Sequence, residues 1–282
     1  MAYLSQPSFR KFLLGHSLTT LREAAGLEIL GAAQALKVSH SKIRRHESGA
    51  TKVSYSDLGA YLTLYQVTEP SLVERLERLR EIGAKRGDHV PEDVATTLKN
   101  LMEAEALADR VTTWQPLVIP GLLQSSDYMR DLLETGSHGV GPQVTEERIA
   151  LRENRQKRLQ GDSPLKVWAV IGEGALRNEV CKRAVLQDQL RYLLELGELA
   201  HVVVQVLPFS GGRFGSAPPF MAIDFPVELG LQPVAYSEGL YEIFVTDRSE
   251  VARLNTYMNH LRSQAASQQD SRELIHKIVR EL

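Results

Sequence analysis

The fold of this chain is constrained most strongly by residues 21–49, LREAAGLEILGAAQALKVSHSKIRRHESG, where two short runs of helical periodicity lie close together. The first run covers about residues 28–36, and the second begins after Ser39 and ends near Gly49. Serine is a preferred N-cap, and glycine is preferred just after the end of a helix. Two helices that cross at a tight turn would bury the small and apolar residues of this segment, which are Leu27, Ala32, Ala33, Leu36, Val38 and Ile43.

The outer side of the second predicted helix is polar and basic. In a helix-turn-helix motif the second helix lies in the major groove of DNA, where its side chains contact base edges and phosphates. The N-terminus of this helix, at Ser39, also favours a phosphate group. The segment therefore predicts a DNA-binding helix-turn-helix. Its polar residues around the inward-facing Ile43 are His40, Ser41, Lys42, Arg44 and Arg45.

Residues 9–68 resemble the Xre/Cro-repressor helix-turn-helix family. By position, the resemblance implies that His40, Ser41 and Arg45 read bases and that Lys42 contacts a phosphate. Arginine can donate to the O6 and N7 atoms of guanine, which suits the role of Arg45. The predicted DNA-contacting residues are, in full, Lys37, Ser39, His40, Ser41, Lys42, Arg44, Arg45 and Lys52.

The same resemblance implies a structural ion pair between two helices, formed by Arg22 and Glu47. The chain departs from the family pattern at several positions, including a glycine, Gly31, inside the first motif helix. Ile29 stands where a glutamine often holds a phosphate, Lys37 where the turn usually has a glycine, and His46 where the residue is usually apolar. A helical bundle without a role in DNA binding and a degenerate motif that binds protein remain open as alternatives.

Charge is divided unevenly along the chain. Residues 1–70 hold 8 basic and 5 acidic side chains, a net charge of +3, whereas residues 71–282 hold 25 basic and 30 acidic side chains, a net charge of −5. The modest positive charge predicts weak and salt-sensitive non-specific DNA binding by the first segment. We do not expect the acidic remainder to lie along DNA, and it is better suited to contacts with subunits, partners or effectors.

The sequence predicts an α+β protein in three parts. Residues 1–70 form an all-α helix-turn-helix domain, residues 71–92 a helical linker, and residues 93–282 a larger mixed α+β domain with one central sheet. In the first part, a helix is predicted from its cap Ser56 to Tyr65. In the third part, helices are predicted at about 93–110, 144–160, 175–199, 249–265 and 270–282, and strands at 165–171, 201–207, 220–225, 234–237 and 243–246.

Residues 95–280 carry a second resemblance. The passages that carry it are WQPLVIPGLLQSSDYMRDLL, RENRQKRL, HVVVQVLPFSGG and VARLNTYMNHLRSQAASQQDSRELI. Together they look like the domain of unknown function that follows an Xre-type motif in many actinobacterial regulators of the antitoxin-like (WhiJ-like) type. The resemblance implies a transcriptional regulator, often encoded beside a small partner protein that its C-terminal domain binds. It implies no ligand and no catalytic activity.

Two features of this domain are candidate contacts for a partner or an effector. A turn at residues 120–121 directs the apolar residues after it into a core or a pocket. A long loop at residues 208–219 is rich in glycine and proline, and loops of this kind are often functional. Core packing is the alternative for the first feature and a variable surface loop for the second. The candidate contact residues are Leu122, Leu123, Tyr128, Phe209 and Phe214.

No catalytic site is expected. Residues 167–171 lead into GEGALR, but Arg177 replaces the third glycine of a dinucleotide-binding loop and no βαβ repeat is evident. The histidines are scattered and Cys181 is the single cysteine, so neither a metal site nor a cofactor is predicted. The lack of an apolar run of about 18 residues and of a signal peptide predicts a cytoplasmic protein, nucleoid-associated when bound to DNA.

These features together predict a transcriptional regulator that binds double-stranded DNA sequence-specifically as a homodimer. The C-terminal domain would mediate dimerisation and the response to a partner or effector. A dimer would place two recognition helices about 34 Å apart, each on one half-site. Two alternatives remain open. One is an antitoxin-like module that sequesters a small partner protein encoded nearby and binds DNA for autoregulation. The other is a regulator that senses a small-molecule effector.

Overall fold

A computed structural model describes residues 8–84, 96–136, 141–211, 217–237 and 243–282. The predicted contact residue Phe214 lies outside these ranges. The chain divides into two compact units. Unit 1 comprises residues 1–107 and 225–231, and unit 2 comprises residues 108–224 and 232–282.

The described residues of unit 1 form helices and no strands, as the sequence predicts. The turn after the first helix contains Gly26, which has a φ of 70°. Ser39 caps the third helix by accepting a hydrogen bond from the backbone N–H of Lys42. The cap of the fourth helix is Ser54 and not the predicted Ser56, because the Ser54 hydroxyl accepts from the backbone N–H of Asp57 at 3.0 Å. The helices are α1 (Phe9–Ala24), α2 (Ile29–Leu36), α3 (His40–Glu47), α4 (Tyr55–Leu64), α5 (Pro70–Ala84) and α6 (Thr96–Leu107).

Helix α6 supplies the N-terminal cap that α1 lacks. Ser8 makes no side-chain cap of its own, and the free N–H groups of the first turn of α1 are accepted by side chains of α6 instead. The N–H of Phe9 donates to Asn100 Oδ1 at 2.9 Å, and that of Arg10 donates to Glu103 Oε2 at 3.0 Å. A carboxylate is also favoured at this end of a helix by the helix dipole. The first stretch of unit 1 therefore continues to residue 107. The sequence instead predicted a helix-turn-helix domain that ends at residue 70 and a linker that ends at residue 92.

Unit 2 is a mixed α+β unit whose described strands form one six-stranded sheet in the order β3-β2-β1-β4-β5-β6. Strands β1, β2 and β3 are parallel, and β4, β5 and β6 continue the sheet in antiparallel pairs. The predicted fold class is thus confirmed. The strands are β1 (Arg110–Gln115), β2 (Lys166–Gly172), β3 (Val202–Leu207), β4 (Phe220–Asp224), β5 (Val234–Ser237) and β6 (Ile243–Val245).

Helices connect and cover this sheet. Two pairs of helices connect parallel strands. Helices α7 and α8 lie between β1 and β2, and helices α9 and α10 lie between β2 and β3. The expectation that no βαβ repeat is present was therefore wrong. The helices are α7 (Ser126–Gly136), α8 (Pro142–Gln156), α9 (Glu173–Arg177), α10 (Arg183–Leu196), α11 (Arg248–Gln264) and α12 (Gln268–Glu281).

The single helix predicted at residues 175–199 is two helices, because the chain leaves helical geometry between α9 and α10. Asn178 has an extended backbone, with a ψ of 125°. The N–H of Lys182, at the start of α10, donates to Asp131 Oδ2 at 3.0 Å. Gly172, the last residue of β2, has a packing role, because a Cβ there would lie 2.7 Å from the backbone oxygen of Pro116.

Among the described residues, no helix is both long enough and apolar enough to cross a membrane.

Helices α1 and α3 approach each other at two glycines. A Cβ at Gly15 would overlap the backbone oxygens of His46 and Glu47. Gly49 has a φ of 73°, and a Cβ there would lie 2.6 Å from the backbone nitrogen of Phe12. Backbone atoms cannot swing aside as the end of a flexible side chain can. The separation of α1 and α3 therefore depends on the absence of a side chain at these positions.

We predict that Gly15→Ala destabilises the protein by about 2 kcal/mol, because the overlap of its methyl group with backbone exceeds the gain in helix propensity. Gly59→Ala is the matched control, since Gly59 lies in α4 with no atom near its missing Cβ. That substitution should stabilise the protein by about 0.5–1 kcal/mol. Urea unfolding followed by circular dichroism measures both changes, and a stabilising Gly15→Ala would contradict the close approach.

Candidate nucleic-acid interface

The turn between α2 and α3 is closed by two backbone hydrogen bonds. The N–H of Val38 donates to Ala33 O at 3.0 Å, and that of Lys37 donates to Gln34 O at 3.2 Å. This pattern requires a left-handed residue after the helix, and Lys37 supplies it with a φ of 54° and a ψ of 41°. A side chain in this conformation costs about 1 kcal/mol relative to glycine. The Lys37 ammonium group is exposed beside the start of α3.

Helix α3 has one buried face and one exposed face. Ile43, His46 and Glu47 are buried, and they lie on the side that packs against the rest of unit 1. The residues predicted to contact DNA through this helix lie on the opposite side, at helical spacing. Those exposed residues are His40, Ser41, Arg44 and Arg45.

The buried face of α3 is fixed by an ion pair with α1. Arg22 Nε donates to Glu47 Oε1 at 2.7 Å, and Arg22 Nη2 donates to Glu47 Oε2 at 3.2 Å. The third donor, Arg22 Nη1, reaches Leu27 O at 2.6 Å in the turn before α2. Both side chains are almost fully buried. One guanidinium group therefore joins α1, the turn before α2, and α3. Arg22 and Glu47 are the two residues that the sequence analysis paired.

His46 links α3 to α4. Its Nδ1 lies 2.9 Å from the hydroxyl oxygen of Tyr61, and its ring meets the Tyr61 ring edge-on. Burial lowers the pKa of His46 below its usual value, although the charge of Asp57 acts in the opposite direction. The imidazole is therefore neutral at pH 7. A histidine at this usually apolar position is accommodated because its polar atom has a partner in the core.

Lys42 is engaged within the protein in a way that the sequence analysis missed. Its Nζ lies 2.6 Å from Asp57 Oδ1, and the same carboxylate accepts from the Ser54 hydroxyl at 2.8 Å. Burial opposes ionisation of Asp57, but hydrogen bonds from Lys42 and Ser54 prevail and lower its pKa. In the free protein, the charge of Lys42 is thus largely neutralised.

The remaining predicted cations differ in how freely they can contact a ligand. Lys52 Nζ donates to Ala84 O at 2.9 Å, at the end of α5. Arg44 and Arg45 are exposed and form no ion pair with any residue that the structure describes. Together with Lys37 they make the exposed side of α3 and its turn a positively charged surface.

The partner or effector candidates in unit 2 fall into two groups. Leu122, Leu123 and Tyr128 are buried in the interior, where no partner can touch them. The Tyr128 hydroxyl accepts from the N–H of Ile119 at 3.4 Å, and burial raises its pKa to about 12. Phe209, in contrast, is 72% exposed. Phe214 lies outside the described residues.

Cys181 has the environment of an unreactive thiol. Burial, and to a lesser extent the charge of Asp131, raise its pKa to about 11. The thiolate is therefore scarce at neutral pH, despite the neighbouring Lys182 and Arg183.

Two family models match the chain. A model described as a helix-turn-helix domain matches residues 13–76, and a model described as a domain of unknown function (DUF5753) matches residues 98–277. No curated protein and no solved structure matches. The first match covers the α2–turn–α3 segment and indicates DNA binding. The WhiJ-like type suggested by the sequence is finer than either match and stays a prediction.

We predict that Glu47→Gln destabilises the protein by about 3 kcal/mol, because it leaves the buried guanidinium of Arg22 without a counter-charge. Glu23→Gln is the matched control. Glu23 also lies near Arg22, at 3.6 Å, but its side chain is largely exposed, so the loss should stay below about 0.5 kcal/mol. Denaturant unfolding of the two variants measures the difference, and equal losses would show that burial of the pair contributes nothing.

Proposed function

Since the chain belongs to the DUF5753 family and has a helix-turn-helix domain ahead of that domain, we propose that it is a transcriptional regulator and not an enzyme. It binds double-stranded DNA sequence-specifically and acts as a homodimer. The observation that carries the proposal is the exposed face of α3, where Arg44 and Arg45 form no ion pair with the described residues. An unpaired arginine on the second helix of this motif suits the recognition of guanine.

In the proposed complex, α3 lies in the major groove. Arg45 donates to one guanine, and His40 and Ser41 contact neighbouring base edges or phosphates. Lys37 and the N-terminal amides of α3 set the position of the helix on the backbone. These contacts need no rearrangement of the protein, because the side chains concerned are exposed in the free state.

Lys42 and Lys52 have a different role in the proposal. Each ammonium group already has a protein partner, at 2.6 Å for Lys42 with Asp57 and at 2.9 Å for Lys52 with Ala84 O. A phosphate that binds Lys42 must compete with Asp57 for it. We therefore propose that Asp57 weakens non-specific binding, which depends on cation–phosphate contacts, more than it weakens base recognition.

Dimerisation is a further part of the proposal. One α3 reads only a few base pairs, and residues 1–70 carry a net charge of only +3, from 8 basic and 5 acidic side chains. Two recognition helices about 34 Å apart would supply the missing specificity. Light scattering of the protein should give the mass of a dimer in the presence of its operator, and a monomer with and without DNA would contradict this part.

An antitoxin-like role is the second candidate function, and an exposed apolar pair supports it. Leu117 is 60% exposed and Phe209 is 72% exposed. Both side chains approach Gly174, within 4 Å of the point where its Cβ would lie. Such a surface suits a small partner protein. Co-expression with the neighbouring gene products tests it, and a complex that survives replacement of Leu117 and Phe209 by serine would contradict this use of the pair.

We predict that Arg45→Ala weakens binding to a selected operator by about 1–3 kcal/mol and relaxes discrimination at one base pair. Lys37→Gly is the control for loss of charge. It should weaken binding to all sequences alike and lower the salt slope by about one unit, while glycine relieves the left-handed strain at this turn. Fluorescence anisotropy on the operator and on single-base variants measures both. Equal losses from Arg45→Ala on every sequence would contradict base reading.

We predict that Asp57→Asn strengthens binding to all duplexes and steepens the salt dependence by about one unit, because it releases the charge of Lys42. Asparagine retains a side chain that can bond to Ser54. Glu69→Gln removes one negative charge from the same unit without involving Lys42, so it controls for net charge. If both variants change the affinity equally, the Lys42–Asp57 pair does not restrain DNA binding.

A further inference from the structure

The face of the unit 2 sheet that α11 covers is apolar at one end and polar at the other. At one end the face is apolar, with Trp114, Val170 and Phe220 packed against Met258 and Leu261 of α11. Residues two apart on a strand share a face, so the same face continues towards the start of β1 and β2 and the end of β4. There it becomes polar.

The polar end of this face is a row of three charged residues on neighbouring strands. Arg110 on β1 lies opposite Lys166 on β2 and opposite Asp224 on β4. In the next row, Thr112 lies opposite Trp168 on β2. These residues form the floor of a cleft of about 470 Å³ between the sheet and α11. Sites for small molecules in proteins usually have volumes in this range.

Helix α11 also presents polar groups to the cleft. Asn255, Asn259 and Arg262 lie four and seven residues apart, on one face of the helix, and all three line the cleft. A helix that covers a sheet normally turns apolar residues towards it. The polar face here is thus not explained by packing.

Three cationic side chains and one carboxylate, that of Asp224, line the cleft, so positive charge is in excess there. Arg262 is partly buried and stacks on the Trp168 ring at 3.3 Å, and its Nη1 donates to Asn259 Oδ1 at 3.3 Å. Its side chain and that of Arg110 form no ion pair with any described residue. Burial and the nearby charge of Arg110 lower the pKa of Arg262, as expected for like charges in a confined space.

The other ionisable groups of the cleft are largely engaged. Lys166 Nζ lies 3.2 Å from Asp109 Oδ1, and His201 Nε2 lies 3.0 Å from Leu159 O. Asp224 is half-buried, and burial raises the pKa of its carboxyl group, although Arg110 acts against this. The free donors are therefore the two guanidinium groups and the side-chain amides of α11.

We propose that this cleft binds a small organic anion, with a carboxylate or phosphate group held between Arg110 and Arg262. Guanidinium groups bind both kinds of oxyanion through paired, charge-assisted hydrogen bonds. The side-chain amides of Asn255 and Asn259 bond to further polar atoms, and Trp168 with Met258 contacts the apolar part of the molecule. The site lies within unit 2 and does not depend on DNA binding, so it goes beyond the proposed function.

Calorimetric titration of the full chain tests this proposal with two probes, salicylate for the carboxylate and AMP for the phosphate. Salicylamide and adenosine are their uncharged counterparts. At least one anion should bind saturably at millimolar concentration, and its counterpart should bind about tenfold more weakly or not at all. The probe that binds distinguishes carboxylate from phosphate. Failure of both anions to bind would overturn the proposal.

Three variants locate the binding. Arg110→Gln and Arg262→Gln should each weaken binding of the anion about tenfold or more. Arg253→Gln removes the same charge from α11 at a residue that does not line the cleft, and should have no effect. Arg110 is exposed, so its replacement leaves the fold intact. This variant therefore tests the site even if Arg262→Gln, which removes the stack on Trp168, unfolds the protein. Equal affinity for Arg110→Gln and the unchanged protein would overturn the proposal, whatever the outcome for DNA binding.

Discussion

The helix-turn-helix of unit 1 depends on the buried ion pair of Arg22 and Glu47. Two charges with little access to water are tolerated only when each is fully bonded, and here the guanidinium group donates to both carboxylate oxygens and to Leu27 O. Glu47 lies on the inner face of α3, so fixing it also fixes the direction of the outer face. The exposure of Arg44 and Arg45 on that outer face therefore follows from a contact buried inside the unit.

Local rules made much of this unit predictable from the sequence. Ser39 and Gly49 mark helix ends through their own backbone and side-chain chemistry, and the inward position of Ile43 on α3 was also predicted. The engagement of Lys42 by Asp57 was not predicted. The two residues belong to different helices, and the order of residues along the chain does not tell which side chains two helices bring together. For the same reason the bond of Lys52 to Ala84 O was missed.

In unit 2 the sequence predicted five of the strands but missed β1, which lies between β2 and β4 in the sheet. Residues 111–115 are all buried, so the strand lacks the alternation of buried and exposed residues that reveals a half-buried strand. Without β1, the βαβ connection from β1 to β2 could not be recognised. The cleft under α11 was equally hidden, because its floor is a row of residues from separate strands whose register only the folded sheet defines.

In the proposed function, the outer face of α3 reads DNA sequence. Selection of duplexes from a random library by the purified full-length protein tests it most directly. We expect two copies of a short motif about one helical turn apart, and we expect this motif to be lost when the selection is repeated with Arg45→Ala. Recovery of no motif by the unchanged protein, or of the same motif by the Arg45→Ala variant, would contradict it.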